Sequence, residues 1–322
     1  MVAGRAPGYD RRLQDEPARR APRDPRVIAL VPAWNAAEFI QGTLEALGAQ
    51  SYRNLEILVS VDLSSDNTAD ICEDYSRIDS RVRVIRQQQR QGFVGNTTRL
   101  LEAAQGDYFF WAWHDDVLLP DYVSRLVPVL EGNSRAVCAY TDLELHRMDG
   151  RVDTLIYTEL EGINDPVQRA KRVLWIPENW WLPHRGLFRS EAAHRIGGFK
   201  RHWAGEYKSD WPWAVHMALL GEHVRVPGVL CRKFIKVSSL SASWRRNRWT
   251  NAAATLSCAR EILRSDLSLA QKGRLCLTIA SVLKAFMMLR YVTRDEFHRT
   301  HAYHRAAAEA EKQISGRRQE RR

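Results

Sequence analysis

The 322-residue chain is poor in cysteine, has no long apolar run and lacks the glycine-rich loops that cradle phosphates. Each shortage excludes something. The five cysteines (Cys72, Cys138, Cys231, Cys258, Cys276) are scattered, odd in number and form no CxxC pair. That argues against a disulfide frame or a structural zinc site and for a reducing compartment, the cytoplasm. No apolar segment reaches the roughly 18 residues of a membrane span. The best candidate, Leu275 to Leu289, contains Lys284 and reads as a buried helix. The N-terminus has no apolar core of a secretion signal, so none is expected. No G-x-G-x-x-G or G-x-x-x-x-G-K-S/T follows a strand-like run, against a dinucleotide dehydrogenase or a P-loop enzyme.

What is present begins with 45% hydrophobic residues, enough for a sizeable core, and a formal net charge of +10. Part of that charge sits at the ends, in Arg11, Arg12, Arg19, Arg20 and residues 317–322. The excess suits nucleic acid, an anionic membrane face or a phosphorylated substrate, and selects none of them. Residues 1–25, rich in Arg, Pro, Asp and Ala, read as a disordered lead.

From residue 26 onward strands and helices alternate. Val27 to Val31 is a strand stopped by Pro32, and a helix carries Ile40, Leu44 and Leu47. Leu55 to Val61 is a strand, Asn67 to Arg77 a helix, Val82 to Ile85 a strand and Asn96 to Gln105 a helix. Tyr108 to Trp113 is the fourth strand. Such alternation implies βαβ units and a mainly parallel sheet. Polar residues follow the strands: Trp34 and Asn35, then Asp62, Ser64 and Asp66, then His114, Asp115 and Asp116. In open α/β sheets ligands bind at this edge. Two adjacent carboxylates there suit a Mg-type ion held with substrate phosphate oxygens. They equally suit a turn that caps the next helix. Trp34 suits base stacking or a rim aromatic; Asp62 suits a base N–H or a turn.

Four stretches, Val-Pro-Ala-Trp-Asn (31–35), Val-Asp-Leu-Ser-Ser-Asp-Asn-Thr (61–68), Asn96 with Ala-Gln-Gly-Asp-Tyr (104–108), and His-Asp-Asp…Pro (114–120), resemble the family 2 glycosyltransferases in order and spacing. The resemblance implies a GT-A fold, a nucleoside-diphosphate sugar donor, a divalent metal (Mn²⁺ or Mg²⁺) and inversion at the anomeric carbon. It implies that Pro32 and Trp34 pack the base, that Asp62 binds it, and that Asn35, Ser64 and Asn96 complete the donor set. Asp115 takes the place of the metal ligand of D-x-D, with Asp116 beside it. Trp113 stands where the first acid of D-x-D is usual, Val61 where a second Asp often stands, and Leu63 where Gly is frequent. A metal-phosphohydrolase reading of His114-Asp115 lacks the further histidines.

Beyond residue 145, Gly186 to Ser190, Ile196-Gly-Gly-Phe199 and Ser209-Asp-Trp-Pro-Trp213 resemble the family's acceptor half. There a Gly-Gly-Phe segment precedes an acid and a helix ending in Gly; here the acid is Asp210, ahead of a helix closed by Gly221, and a sugar hydroxyl needs such a carboxylate to take its proton. As a bare residue Asp210 is also a candidate N-cap. Glu206, in a stretch that reads as a mobile loop, and Glu222 are the other acids at hand. Trp180 and Trp181 point opposite ways if extended. Eight of the eleven Trp lie between Trp175 and Trp249, as core or as sugar-packing faces. Lys236 falls where the family often has a His near the diphosphate, and is otherwise an exposed strand residue. Residues 250–322 carry helical patterns outside the resemblance.

The chain is therefore expected to comprise the lead, a donor half (26–145), an acceptor half (146–249) and a C-terminal helical extension (250–322). The partners expected are a nucleoside-diphosphate sugar and a glycan, lipid-linked or small-molecule acceptor rather than nucleic acid. The basic run near Arg245 and the C-terminal arginines are candidates for peripheral contact with the inner membrane face. The rival readings are a nucleotidyltransferase, against which Pro32 to Phe39 is not a basic Gly-rich loop, and a degenerate nucleotide-sugar or glycan-binding domain, suggested by Trp113.

Overall fold

The computed structural model describes residues 24–176, 179–235, 244 and 247–288. In chain order its first half contains β1 (Val27–Ala33), α1 (Ile40–Gly48), β2 (Leu55–Val61), α2 (Thr68–Ile78), β3 (Val82–Arg86), α3 (Gly92–Ala103), β4 (Tyr108–Trp111), β5 (Asp116–Leu118) and α4 (Tyr122–Gly132). The second half contains β6 (Ala136–His146), β7 (Val152–Leu155), α5 (Pro166–Leu174), a 3-10 turn (Leu182–Arg185), β8 (Leu187–Arg189), α6 (Ser190–Ile196), α7 (Asp210–Leu220), β9 (Glu222–Phe234), α8 (Arg248–Arg264) and α9 (Leu269–Met288). The strands form one sheet in the order β3-β2-β1-β4-β8-β6-β9-β5, with β7 on β6.

The strands β3, β2, β1 and β4 are mutually parallel, as uninterrupted apolar runs joined by helices require. Every residue of β1 is buried. Pro32 does not stop β1; it pairs with Ser60 inside the strand. Ala33 O accepts from Asp62 N on one side, and Leu30 O accepts from Ala112 N on the other. Main-chain groups alternate sides along a strand, so Pro32 faces the side from which β4 has already departed. Its missing N–H costs no ladder bond.

The strand β4 ends at Trp111, two residues before its apolar run does. The chain turns through Trp113 to Asp115 and re-enters the sheet as β5, antiparallel to β9, with Asp116 opposite Lys233. Antiparallel pairing through β8 joins the two halves into one sheet. Aromatic side chains continue the junction: Phe109 on Phe188 at 5.5 Å, Phe188 on Trp213 at 5.0 Å and Trp111 on Phe199 at 5.0 Å between ring centroids.

Helix α7 is buried from Trp211 through Leu219. A helix apolar all round needs cover on every side, and α8 packs against it from the C-terminal part. Cys258 and Ile262 of α8, and Leu275, Ile279, Val282 and Phe286 of α9, join the main core. The buried pair His216–Glu261, at 2.9 Å, ties α7 to α8. Trp180 and Trp181 lie in a turn rather than an extended segment, and both pack half-buried against the core. No helix among the described residues is long and apolar enough to cross a membrane.

Candidate functional site

The base end of the predicted site is built from loops that hold one another. Asn35 adopts a left-handed backbone (φ 45°), which Asn tolerates better than most residues. Its N–H donates to Ser64 Oγ (3.1 Å), its Oδ1 accepts from Ser65 N (2.9 Å), and Ser64 Oγ donates to the Asp62 carbonyl (2.9 Å). Asn96 is buried in α3; its Nδ2 donates to Ser60 O at 3.0 Å and Ala33 O at 3.4 Å, pinning the ends of β1 and β2 together. Asn35, Ser64 and Asn96, expected as donor contacts, thus first of all shape the rim.

Asp62 is buried and already has a full set of donors. Its Oδ1 accepts from Gln91 N (2.7 Å) and Leu63 N (3.0 Å); its Oδ2 accepts from Gly92 N (2.9 Å) and from the Arg90 guanidinium. The same guanidinium lies 3.9 Å above the half-buried Trp34 ring. A base N–H reaches Asp62 only if Arg90 swings off. Sequence reading did not single out Arg90. Glu206 is not in a free loop: its carboxylate accepts from Phe93 N (3.0 Å) and Val94 N (3.2 Å) and pairs with Arg201 (2.6 Å). These bonds explain why α3 begins at Gly92, earlier than its apolar periodicity predicts. Gly92 itself sits at φ 75°, and an added Cβ would meet Glu206 Oε1 at 2.8 Å.

At the acidic end, Thr43 Oγ1 donates to His114 O (2.9 Å) and His114 Nδ1 lies 3.2 Å from Pro32 O. Trp113 fills the place of the usual first acid with an indole that stacks on Phe93 and Trp111. Asp116, expected as a metal ligand, has a side chain only 3% exposed and is committed to two cations. Arg185 Nε is 2.5 Å away and Lys233 Nζ 3.4 Å away. Burial disfavours the Arg185 charge, but Asp116 outweighs it and holds the guanidinium above its ordinary pKa. Asp115, 16% exposed, stands 3.8 Å from Lys233 Nζ. Among the described residues no three His, Cys, Asp or Glu side chains converge into a metal cage. A Mg-type ion needs only one or two carboxylates when substrate phosphates and waters complete its shell. Asp115 fits that role; Asp116 does not, because a buried ion pair occupies it. Lys236 lies outside the described residues.

At the acceptor end, Asp210 is the first residue of α7 and not its cap; Ser209 precedes it without a side-chain capping bond. The Asp210 side chain is 28% exposed, and its Oδ2 lies 3.1 Å from Nδ1 of the buried His184. Burial raises its pKa, but the hydrogen bonds from His184 and from its own main chain, with the Lys208 charge, bring it below the ordinary aspartate value. His184 and Arg185 are neighbours in the 3-10 turn, and neither was singled out from sequence. Glu222, the third acid, is held by Asn133 (3.0 Å) and Arg135 (2.9 Å).

Residues 28–173 match the family Glycosyl transferase family 2. A curated relative, the GalNAc(5)-diNAcBac-PP-undecaprenol beta-1,3-glucosyltransferase of Campylobacter jejuni, is 30% identical over 104 residues, 32% of this chain and 34% of that protein. The chain spans half or less of the length of such curated relatives. Among solved structures, S. aureus TarS 1-349 in complex with UDP-GlcNAc superposes with a TM-score of 0.60 at 17% identity, over 81% of this chain and 71% of that one. The mannosyltransferase PcManGT from Pyrobaculum calidifontis, in complex with GDP-Man and Mn²⁺, superposes with a TM-score of 0.51 at 16% identity, over 88% and 86%. These likenesses show the fold, the GT-A arrangement of a sheet flanked by helices with helices added at the C-terminal end.

Proposed function

We propose that the chain is a glycosyltransferase of family 2, whose model matches residues 28–173, and that it moves a sugar from a nucleoside-diphosphate sugar to an acceptor hydroxyl, with inversion. The observation that carries this reading is that two partly solvent-accessible acids, one in each half of the chain, each stand beside a cationic or hydrogen-bonding partner. Asp115, beside Lys233, is the half-buried carboxylate at the acidic strand end, and Asp210, beside His184, is the half-buried carboxylate of the acceptor half.

In this reading the base lies against Trp34 and Arg90, with Pro32 beneath. The acceptor hydroxyl attacks the anomeric carbon, Asp210 takes its proton, and the nucleoside diphosphate leaves from the opposite face. A depressed pKa keeps Asp210 ionised for that task. A divalent ion, Mn²⁺ or Mg²⁺, would be held by Asp115 and would neutralise charge on the diphosphate. Lys233 adds an ammonium at the same place, and Lys236 is the second candidate cation. Holding both substrates in line supplies much of the remaining acceleration. The undecaprenol-linked substrate in the Campylobacter relative's name and the net charge of +10 support a lipid-linked glycan acceptor met at an anionic cytoplasmic membrane face.

Thermal-shift measurements with UDP, GDP, ADP and CDP, with and without Mn²⁺, test the reading. A ligand at 100 times its Kd adds about 2.7 kcal/mol. The expected result is stabilisation by one diphosphate, larger with Mn²⁺; no shift with any of them overturns the donor site. Trp113 in place of the first acid favours a second reading, a domain that binds a nucleotide sugar without transferring it. Binding of a donor without hydrolysis or transfer across a panel of nucleotide sugars would establish that alternative.

A further inference from the structure

Behind Asp210 lies a small cavity that plays no part in the reading above. Its walls include the rings of His184, Trp213 and His223, and its volume of about 10 Å³ is of the size that admits one water. These rings carry three buried nitrogens with no hydrogen-bond partner among the described residues: His184 Nε2, Trp213 Nε1 and His223 Nδ1. Buried polar atoms are rarely left unmatched.

The chemistry of the three atoms is complementary to a single water. An indole nitrogen is a donor only. Burial, with the Arg169 charge next, lowers the His223 pKa to about 3, so that ring is neutral; it also bonds the Gly221 main chain. In the tautomer protonated at Nε2, the lone pair lies on Nδ1, the nitrogen without a partner. His184 Nδ1 faces Asp210 Oδ2 at 3.1 Å; the neutral tautomer that donates there keeps its lone pair on Nε2. A water can donate one hydrogen to each histidine and accept from Trp213.

We infer that one buried water joins His184, His223 and Trp213, and that His184, held this way, is the positioning residue that fixes the Asp210 carboxylate for the acceptor hydroxyl. The inference rests on Asp210 being the base. Two aromatic edges hold the imidazole as well: Trp180 at 5.1 Å and Trp213 at 6.3 Å, both nearly perpendicular to it. A carboxylate with partial exposure has several rotamers open to it. A donor fixed by packing on one side and a bound water on the other selects one of them. A base displaced by ~1 Å can lose about 100-fold in rate.

Two measurements on the full chain test this. The first needs no substrate: histidine-selective ¹⁵N NMR should find His184 protonated at Nδ1 and unprotonated at Nε2, and a crystal structure should show a water against the three nitrogens. An Nδ1 without a proton, or a dry cavity, overturns the inference. The second compares His184→Asn with His184→Gln. The Asn amide can place an N–H near the Nδ1 position, whereas Gln places it near Nε2. At saturating UDP-GlcNAc or GDP-mannose, whichever the wild type turns over, His184→Gln should lose about 10- to 100-fold in kcat with donor KM unchanged, and His184→Asn should retain most of it. A folded His184→Gln with wild-type kcat, or equal losses in both variants, overturns the positioning role. Absence of turnover in the wild type would instead count against the proposed function, and the NMR result alone would then decide this inference.

Discussion

His184 and Arg185 are consecutive residues that grip different acids: His184 Nδ1 lies 3.1 Å from Asp210, and Arg185 Nε lies 2.5 Å from Asp116. One turn therefore references the acidic strand end and the candidate base to each other. A shift of that turn moves both.

Arg185→Ala tests the structural side of this link. It leaves Asp116, nearly without solvent, facing Lys233 alone. Breaking a buried pair by removing one partner costs about 3–5 kcal/mol. Urea unfolding should show a loss of that order; a loss under 1 kcal/mol would mean that water or Lys233 suffices for Asp116.

The neighbouring acids should separate by function. Asp115→Asn should abolish the Mn²⁺-dependent part of nucleotide stabilisation while leaving the free protein's melting temperature close to wild type. Asp116→Asn should do the reverse, lowering the melting temperature because Arg185 loses its partner. Equal effects of both on Mn²⁺ dependence would return Asp116 to the metal site.

Lys233 should recognise the diphosphate and not the nucleoside. Lys233→Met should weaken UDP or GDP binding about tenfold, roughly 1.4 kcal/mol, with little change for uridine or guanosine in the same calorimetric titration. Undiminished diphosphate affinity would point to Lys236. Activity that persists in excess EDTA and falls in Lys233→Met would assign the counter-charge to the lysine.

His223 makes stability depend on pH. Its folded pKa, about 3, lies below the ordinary 6.5, so the unfolded chain binds the extra proton. Above pH 6.5 both states are neutral and nothing is lost. Below it, stability should fall by about 1.4 kcal/mol per pH unit from this group until the folded ring also protonates near pH 3. His223→Phe should remove that part of the slope between pH 6.5 and 4. An unchanged slope would mean that His223 is solvated in solution.

Asp62→Ala should act on the fold as well as on the donor. The substitution strands the N–H groups of Gln91 and Gly92 and frees Arg90. A loss of about 1–3 kcal/mol in unfolding free energy is expected, together with weaker nucleotide binding. Weaker binding at unchanged stability would mean that Asp62 serves the base alone.

The parallel half of the sheet was legible because β1, β2, β3 and β4 are apolar runs bounded by turn residues, and α8 and α9 because their periodicity is helical. β5 was not: three residues carry no period, and the strand exists only because β9 lies beside it. β9 in turn is broken by register shifts near Asp142. In the site, Asp115 and Asp210 were legible as positions, since each stands where an element begins or ends. The commitment of Asp116 was not, because Arg185 is 69 positions away and Lys233 117. Glu206 was misread as mobile for the same reason; its partners Phe93 and Val94 are more than a hundred residues upstream. Arg90 and His184 left no sequence signal of their own, being single polar residues whose meaning lies in what they face.

The first turn of a helix beside the crevice of a parallel sheet is a ready seat for an anion. In this protein the N–H groups of Gly92, Phe93 and Val94 are already answered by Asp62 and Glu206. A phosphate approaching α3 meets carboxylates already paired with Arg90 and Arg201, not an open pole. In the function proposed above, α3 would offer the donor's diphosphate no free N–H, and the lysine end would remain as its berth. Since a diphosphate and a monophosphate share the ribose-linked phosphate, the second phosphate, at Lys233, should supply most of the gain in affinity over the nucleoside.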